Sequence, residues 1–456
     1  MQEVLEPLTL DRDVATAAKE LDGWRASLAT AEGRTLARAH EPFARVRHVT
    51  GQSTYRFLET SKAPHDRTLA EGLRRWVYEL LQARVGSSLM IDDVEAATFV
   101  DPEKKPRRKR KTPEEPASTP ETYRDAWLAV LTAEHRGDAE SAFELAASLA
   151  PRVAAVRKER RARRFEVARR LGLAHPNALA TSVPVTTLAA ALLDATDSLA
   201  NDLLKVERKA LHGKWHAALG MRFSLARDAG EGWPPRVTDR WLREAFVALP
   251  TRRMKTVTAT PIGAASFLRA AYTWGATWRR AGAVRSLPFA IARDPYEADA
   301  ARFGSAFARA VSEPAFQKKV LGLTTRVADI QARALRVALL FGVRRLATRL
   351  LLSSAEDVDA GTFEELTERV FGAALPKAFR YAWPDIRIDE PACFLGALRS
   401  YAFSASLVDR FDDDWFLNPK AGTHLAHLAS APAFIDDPVA EAEPERIAHT
   451  FEELLG

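Results

Sequence analysis

Leu69-Ala-Glu-Gly-Leu-Arg-Arg-Trp-Val-Tyr-Glu-Leu-Leu81 carries apolar residues at 69, 73, 76, 77, 80 and 81. Steps of three and four put them on one side of a 3.6-residue helix, whereas a half-buried strand needs strict alternation. The segment reads as an amphipathic helix with a buried stripe, and mostly helical patterning runs from Asp11 to about Met90. Helical patterns return in Tyr123 to His135, Ala139 to about Leu149, Arg157 to Leu171, Thr187 to roughly Leu219 and Asp239 to Phe246. The last third adds Gly263 to Arg280, Pro295 to Val311, Gly322 to Leu352, Thr362 to Gly372 and Glu390 to Arg410. Asp138 and the block Thr181 to Pro184 sit where helix caps belong, and Glu231-Gly-Trp-Pro-Pro235 marks a loop. The one β signal is Lys255-Thr-Val-Thr-Ala-Thr260, ended by Pro261-Ile-Gly263. No tandem repeat of fixed period is present, which argues against a solenoid.

Composition agrees with a large helical body. The chain has 456 residues, 47% hydrophobic and 28% charged, and Ala, Leu, Arg and Glu outweigh Val, Ile and Thr. A single cysteine, Cys393, excludes a disulfide framework and a Cys-rich zinc module. With no signal peptide at the N-terminus, it points to a reducing cytosol, and a bacterial cytoplasm is the expected setting. The most apolar stretch, Ala334 to Phe341, is cut by Arg336 and bounded by Arg344 and Arg345, so no membrane span is expected.

The net charge of +6 is concentrated in one place. Lys104, Lys105, Arg107, Arg108, Lys109, Arg110 and Lys111 fill seven of eight positions; removing them from 66 basic residues leaves 59 against 60 acidic ones. They lie in Asp101 to Thr122, which has five prolines and no large apolar residue. Such a stretch buries too little surface to offset its ordering entropy, and is expected to be a disordered loop. The block is the candidate anion-binding site, for nucleic acid or another polyanion, against the plainer reading of a solvated tether.

Nucleotide chemistry is not indicated: there is no G-x-x-x-x-G-K-[ST], and no strand leads into G-x-G-x-x-G. Two of the ten histidines, His212 and His216 in Leu211-His-Gly-Lys-Trp-His216, are four apart on an expected helix and would share one face, as a zinc pair does. The position after the first, where a zincin carries its general base, is Gly213, so a polar helix surface with a buried Trp215 is the preferred reading. His424 and His427 are read in the same way. Asp412, Asp413 and Asp414 lack the ligand alternation and glycine of a calcium loop and read as a helix-to-loop junction. Arg157 to Arg170 holds eight Arg or Lys against Glu159 and Glu166, and a solvated surface is the leading expectation, with nucleic-acid contact as the alternative.

Signatures in the second half stand in an informative order: Ala168-Arg-Arg-Leu-Gly-Leu173, Trp233-Pro234, Phe267-Leu-Arg-Ala-Ala-Tyr-Thr-Trp-Gly-Ala276, Leu287-Pro-Phe289, Phe303 to Leu323, and Asp414-Trp-Phe-Leu-Asn-Pro-Lys-Ala-Gly422. From about Phe165 to Pro432 the chain resembles the helical zinc peptidases of the oligoendopeptidase F and thimet oligopeptidase group. In active members a buried helix carries H-E-x-G-H, with two histidine ligands and a glutamate that activates the zinc-bound water. Matching the glycine to Gly275 puts the first histidine at Tyr272, the glutamate at Thr273 and the second histidine at Ala276. The third ligand would fall near Ala301, with only Glu297 or Asp299 close by. Tyrosine, threonine and alanine cannot supply that chemistry, and no histidine between His216 and His424 restores it in another register. Phe267, Tyr272, Trp274 and Trp278 are expected to fill the space that zinc and water would need.

The resemblance implies an all-α, two-lobed helical body of that peptidase type with at most a small β-hairpin. The expected parts are an N-terminal helical region 1–100, a loop 101–122, a helical lobe 123–250, a degenerate peptidase-like lobe 251–435 and a C-terminal tail 436–456. The expected function is that of a catalytically inactive peptidase-like protein, a binding or assembly scaffold with an unidentified protein or peptide partner, no cofactor and no bound metal. The alternatives are a hydrolase with a relocated or zinc-independent site, and polyanion binding through the basic block.

Overall fold

The computed structural model describes residues 6–40, 42–60, 67–100, 120–180, 183–210, 215–225, 228–247, 263–284, 286–383, 390–432 and 443–455. The N-terminal region holds α1 (Pro7–Ser27), α2 (Ala31–Ala39), α3 (Gln52–Thr60), α4 (Arg67–Val85) and α5 (Ser87–Ala97). The middle holds α6 (Tyr123–Thr132), α7 (Arg136–Arg170), α8 (Val185–Ala210), α9 (Ala217–Phe223) and α10 (Asp239–Ala245). Then come α11 (Gly263–Ala281), α12 (Phe289–Ala292), α13 (Ala298–Val311), α14 (Pro314–Lys319) and α15 (Thr325–Ser354). The chain ends with α16 (Ala360–Phe371), α17 (Glu390–Phe411), α18 (Pro419–Ala429) and α19 (Pro444–Leu455). No strand occurs among the described residues, so the architecture is all-α; Lys255 to Thr260 lies outside them. No described helix is long and apolar enough to cross a membrane.

Among the described residues three large apolar cores, with two small ones, hold the helices together. One joins α1, α3 and α4 to Val167 and Leu171 at the end of α7 and to Ala290 and Tyr296. A second draws on α6 to α9 and equally on α15, α16, α17 and α19, so the expected divisions 123–250 and 251–435 share a single interior. A third is built by α10, α11, α13 and α18, with Phe403 and Leu407 of α17. The stretch 436–456, expected as a tail, carries α19, which buries Ile447, Phe451 and Leu455 in the second core.

Several helix boundaries differ from expectation. Ala139 to Leu149 and Arg157 to Leu171 are one helix of 35 residues that runs through Pro151. Proline forfeits one backbone bond there, but Ala150 and Val153 on either side are fully buried, and packing outweighs the local penalty. The expected helix Thr187 to Leu219 is interrupted: α8 is described to Ala210, and His216, at φ −133° and ψ 150°, is extended before α9 begins at Ala217. Gly322 adopts φ +70°, so α15 starts three residues later, at Thr325.

Candidate functional site

The positions matched to the peptidase motif lie where α11, α13 and α17 cross. A Cβ built on Gly275 would lie 2.5 Å from the Phe303 carbonyl oxygen and 2.7 Å from Phe307 Cδ2. One on Gly304 would lie 2.7 Å from the Tyr272 carbonyl oxygen, and one on Gly396 would lie 2.6 Å from Ala301 Cβ. Each of the three helices thus places a glycine where the neighbouring helix approaches it. Ala276 and Ala301 are each 2% exposed. Tyr272 is partly buried, with its hydroxyl 3.9 Å from Cys393 Sγ, and Thr273 donates its hydroxyl proton to the Arg269 carbonyl of its own helix at 2.9 Å. The neighbouring carboxylates are engaged: Asp299 with Arg279 and, at 2.6 Å, Arg302, and Glu297 with Arg280. A zinc ion does not fit this set, which offers no imidazole and no uncommitted carboxylate among the described residues.

The aromatic residues of α11 part company. Phe267 stacks on Trp233 with ring centres 4.1 Å apart, and Trp274 and Trp278 are buried in the α10, α11, α13 and α18 core. Tyr272 faces Gly304 and Cys393 instead.

The other sequence candidates are dispersed. His216 is not on a helix face: it caps α9, its Nδ1 accepting the Ala218 N–H at 3.1 Å, and its ring meets Phe143 edge-on. His212 and the basic block Lys104 to Lys111 lie outside the described residues. His424 sits 3.1 Å from Arg410 Nη1; burial, Arg410 and His427 all push its pKa down. Asp414 is paired with Lys319. Among the described residues no three or more His, Cys, Asp or Glu gather as a metal-ligand group.

The arginine-rich end of α7 corrects the expectation of a solvated surface. Arg157, Arg160, Arg161 and Arg164 recur at helical spacing on one face, and that face points inward. Arg157 donates to Asp93 at 2.7 Å and to the Ala382 carbonyl, and Arg160 donates to Asp93 at 2.9 Å. Arg161 is 2% exposed, and burial lowers its pKa to about 10. Only residues such as Arg163, Arg169 and Arg170 keep the expected solvent-facing role.

Arg160 and Arg164 line a cleft of about 570 Å³. Its walls come from α1, α4 and α5, from α7, and from Arg280 at the end of α11 with the 293–297 turn. The apolar part of the lining includes Leu21, Trp76, Ala83 and Met90. Trp76 is fixed by donating its indole N–H to the Arg293 carbonyl at 2.8 Å. Behind the wall, Arg75 pairs with the buried Asp294 at 3.0 Å, and Tyr78 donates to the Pro176 carbonyl at 2.9 Å. Burial raises the Asp294 pKa, and Arg75 and two backbone N–H groups oppose that shift. The volume lies in the range of small-molecule pockets, but nine of the sixteen lining residues are charged. Sequence reasoning missed it because its parts are spread from Leu21 to Glu297; the available signal was the 157, 160, 161, 164 stripe.

No family model and no curated protein matches the chain.

Proposed function

We propose that the chain is a non-hydrolytic binding protein built on a helical body of the oligoendopeptidase F and thimet oligopeptidase type. The observation that carries this reading is the side-chain set at the motif positions, where the Thr273 hydroxyl is committed to the Arg269 carbonyl and the nearby Asp299 and Glu297 to arginines. Tyr272, Thr273 and Ala276 supply neither ligand nor general base. The open cleft beside Arg164 leaves the body with somewhere to bind.

Elemental analysis of the purified protein, together with cleavage of a quenched fluorescent peptide library, tests the reading. The expected result is no stoichiometric zinc and no cleavage. The triple variant Tyr272→His, Thr273→Glu, Ala276→His is expected to stay inactive, because the third-ligand position is Ala301 and the carboxylates near it, Asp299 and Glu297, are paired with arginines. One zinc per chain with chelator-sensitive cleavage would overturn the proposal, and loss of that cleavage in His216→Ala would place the site at the His212 and His216 pair.

A second reading rests on the basic block, where seven positive charges stand on an otherwise near-neutral chain. Polyanion binding through it would weaken steeply with salt. It would vanish when the seven residues become glutamine, whereas binding that persists unchanged would exclude the block.

A further inference from the structure

Most charged groups around the cleft are matched; the exposed Arg293 forms no ion pair with a described residue and lies over the Phe289 ring. Arg25 pairs with Glu79 at 2.7 Å, Arg160 with Asp93 at 2.9 Å, Arg280 with Glu297, and Arg75 with Asp294 at 3.0 Å. Arg164 differs. Its one hydrogen-bond acceptor is the neutral Oδ1 of Asn177 at 3.0 Å, its Nε is buried without a partner, and no described carboxylate forms an ion pair with it. Burial and the adjacent Arg160 guanidinium lower its pKa. Next to it, Arg161 is almost fully buried and two of its nitrogens, Nε and Nη1, lack partners. A half-buried guanidinium with no carboxylate in contact gains a charge-assisted hydrogen bond from an anion that enters the cleft.

We propose that this cleft binds a small organic monoanion, a carboxylate on an apolar body, with the carboxylate held by the Arg164 guanidinium. The planar guanidinium suits a carboxylate. The ligand's body would lie against Leu21, Trp76, Ala83 and Met90. The charge count selects a monoanion: five arginines and four carboxylates line the cleft, a surplus of one positive charge. A phosphate dianion would exceed that surplus and face Asp22 and Glu297. Asp22, on the exposed face of α1, forms no ion pair with a described residue and would meet an ammonium group if the ligand carried one. The carboxylate could therefore come from a simple carboxylic acid or from an amino acid. The inference deepens the proposal of a binding protein but uses none of the motif positions.

Calorimetric titration of the full chain with 3-phenylpropanoate and L-phenylalanine, against 3-phenylpropanamide, L-phenylalaninamide and inorganic phosphate, tests it. At least one acid is expected to bind about tenfold or more tightly than its own amide, as a charge-assisted hydrogen bond implies. Arg164→Met is expected to abolish that preference. Tighter binding of L-phenylalanine, lost in Asp22→Asn, would identify an amino acid as the ligand; tighter binding of 3-phenylpropanoate would identify a simple acid. Arg164→Met gives up the hydrogen bond to the buried Asn177, so its fold is checked by melting temperature before titration; if it does not fold, Arg164→Gln is titrated in its place. The inference is overturned if neither acid binds at about 10 mM, if the amides bind equally well, or if phosphate binds as tightly as the acids. Such a failure would leave the reading of the motif untouched, whereas peptide cleavage at the motif would overturn the proposed function and leave the cleft standing.

Discussion

Gly275 of α11 meets the Phe303 carbonyl of α13 so closely that a Cβ at 275 would stand 2.5 Å from that oxygen. Gly304, one residue beyond Phe303, receives Tyr272 of α11 in return, with a built Cβ 2.7 Å from the Tyr272 carbonyl oxygen. The crossing is reciprocal: each helix gives up a side chain where the other's backbone arrives. Helix axes ordinarily pack 8–10 Å apart, depending on the residues between them, and glycine allows the near end of that range. The same contact brings Phe303 and Phe307 of α13 against α11 in the third core.

Gly275→Ala is accordingly expected to destabilise the fold by about 1–3 kcal/mol, because backbone and the Phe307 ring must move to admit one methyl group. Gly342→Ala in α15 is the control: a Cβ there meets nothing within 4 Å, and helix propensity predicts a gain of about 0.5–1 kcal/mol. Urea denaturation of both variants reads the difference. Equal effects of the two substitutions would show that the α11–α13 approach is not as close as described.

Arg344 is 1% exposed, and burial lowers its pKa while Asp197 opposes that shift. Its guanidinium reaches Asp197 at 2.6 Å, Thr196 Oγ1 at 2.5 Å and two carbonyls, and ties α15 to α8 and α16. Asp197→Ala is expected to cost about 3 kcal/mol, because it leaves a buried cation with neutral acceptors only. The double variant Asp197→Ala, Arg344→Met should recover part of that loss. A double variant less stable than the single one would contradict the buried-charge account.

How much of this was legible depends on where each residue finds its partner. The 69–81 stripe is buried as its period requires, with Leu73, Val77 and Leu80 at 0% exposure. Its one partly exposed member, Trp76, lines the cleft, so the departure from the apolar pattern marks the site. The 157–170 helix was misread because its partners, Asp93, Asn177 and Ala382, lie on other elements, and period alone cannot tell an inward arginine from an outward one. The Thr187 to Leu219 pattern likewise hid the His216 cap, since capping by a histidine ring nitrogen has no periodic signature.

The N-terminus of α16 offers a pH-dependent test. Asp359 caps it, its Oδ2 accepting the Thr362 N–H at 2.9 Å; that bond, with further ones from Gly361 and Ala360, holds its pKa below the model-peptide value of 3.8. A carboxylate with a depressed folded-state pKa stabilises the fold above its unfolded value and loses that contribution as pH falls through the folded value. Asp359→Ala should therefore melt below the wild type at pH 7, with the gap smaller on the acid side of pH 3.8. Asp359→Asn, which keeps an acceptor, should fall between them at pH 7. A gap that stays constant across that change of pH would rule out the charged cap.

Limited trypsin digestion is expected to cut first between Lys104 and Lys111, the densest run of target bonds in the chain. The two fragments are expected to stay together, because the first core is made from both sides of the cut. Leu10, Val14, Leu73 and Val77 pack with Val167, Leu171, Ala290 and Tyr296. Polar contacts reinforce this: Asp11 accepts the Phe289 and Ala290 N–H groups at 2.8 Å each and caps α12 from α1, while Asp93 holds Arg157 at 2.7 Å. Arg75 pairs with Asp294 across the same boundary, and breaking such a buried pair costs about 3–5 kcal/mol, so separating the fragments would forfeit both the apolar core and its charge partners. The nicked protein should elute from a sizing column at the intact volume and release the N-terminal fragment only in denaturant. Early release of that fragment would show that the N-terminal helices do not share a core with the rest of the chain, and first cuts near Phe267 or Arg336 would show that the basic block is not the exposed loop.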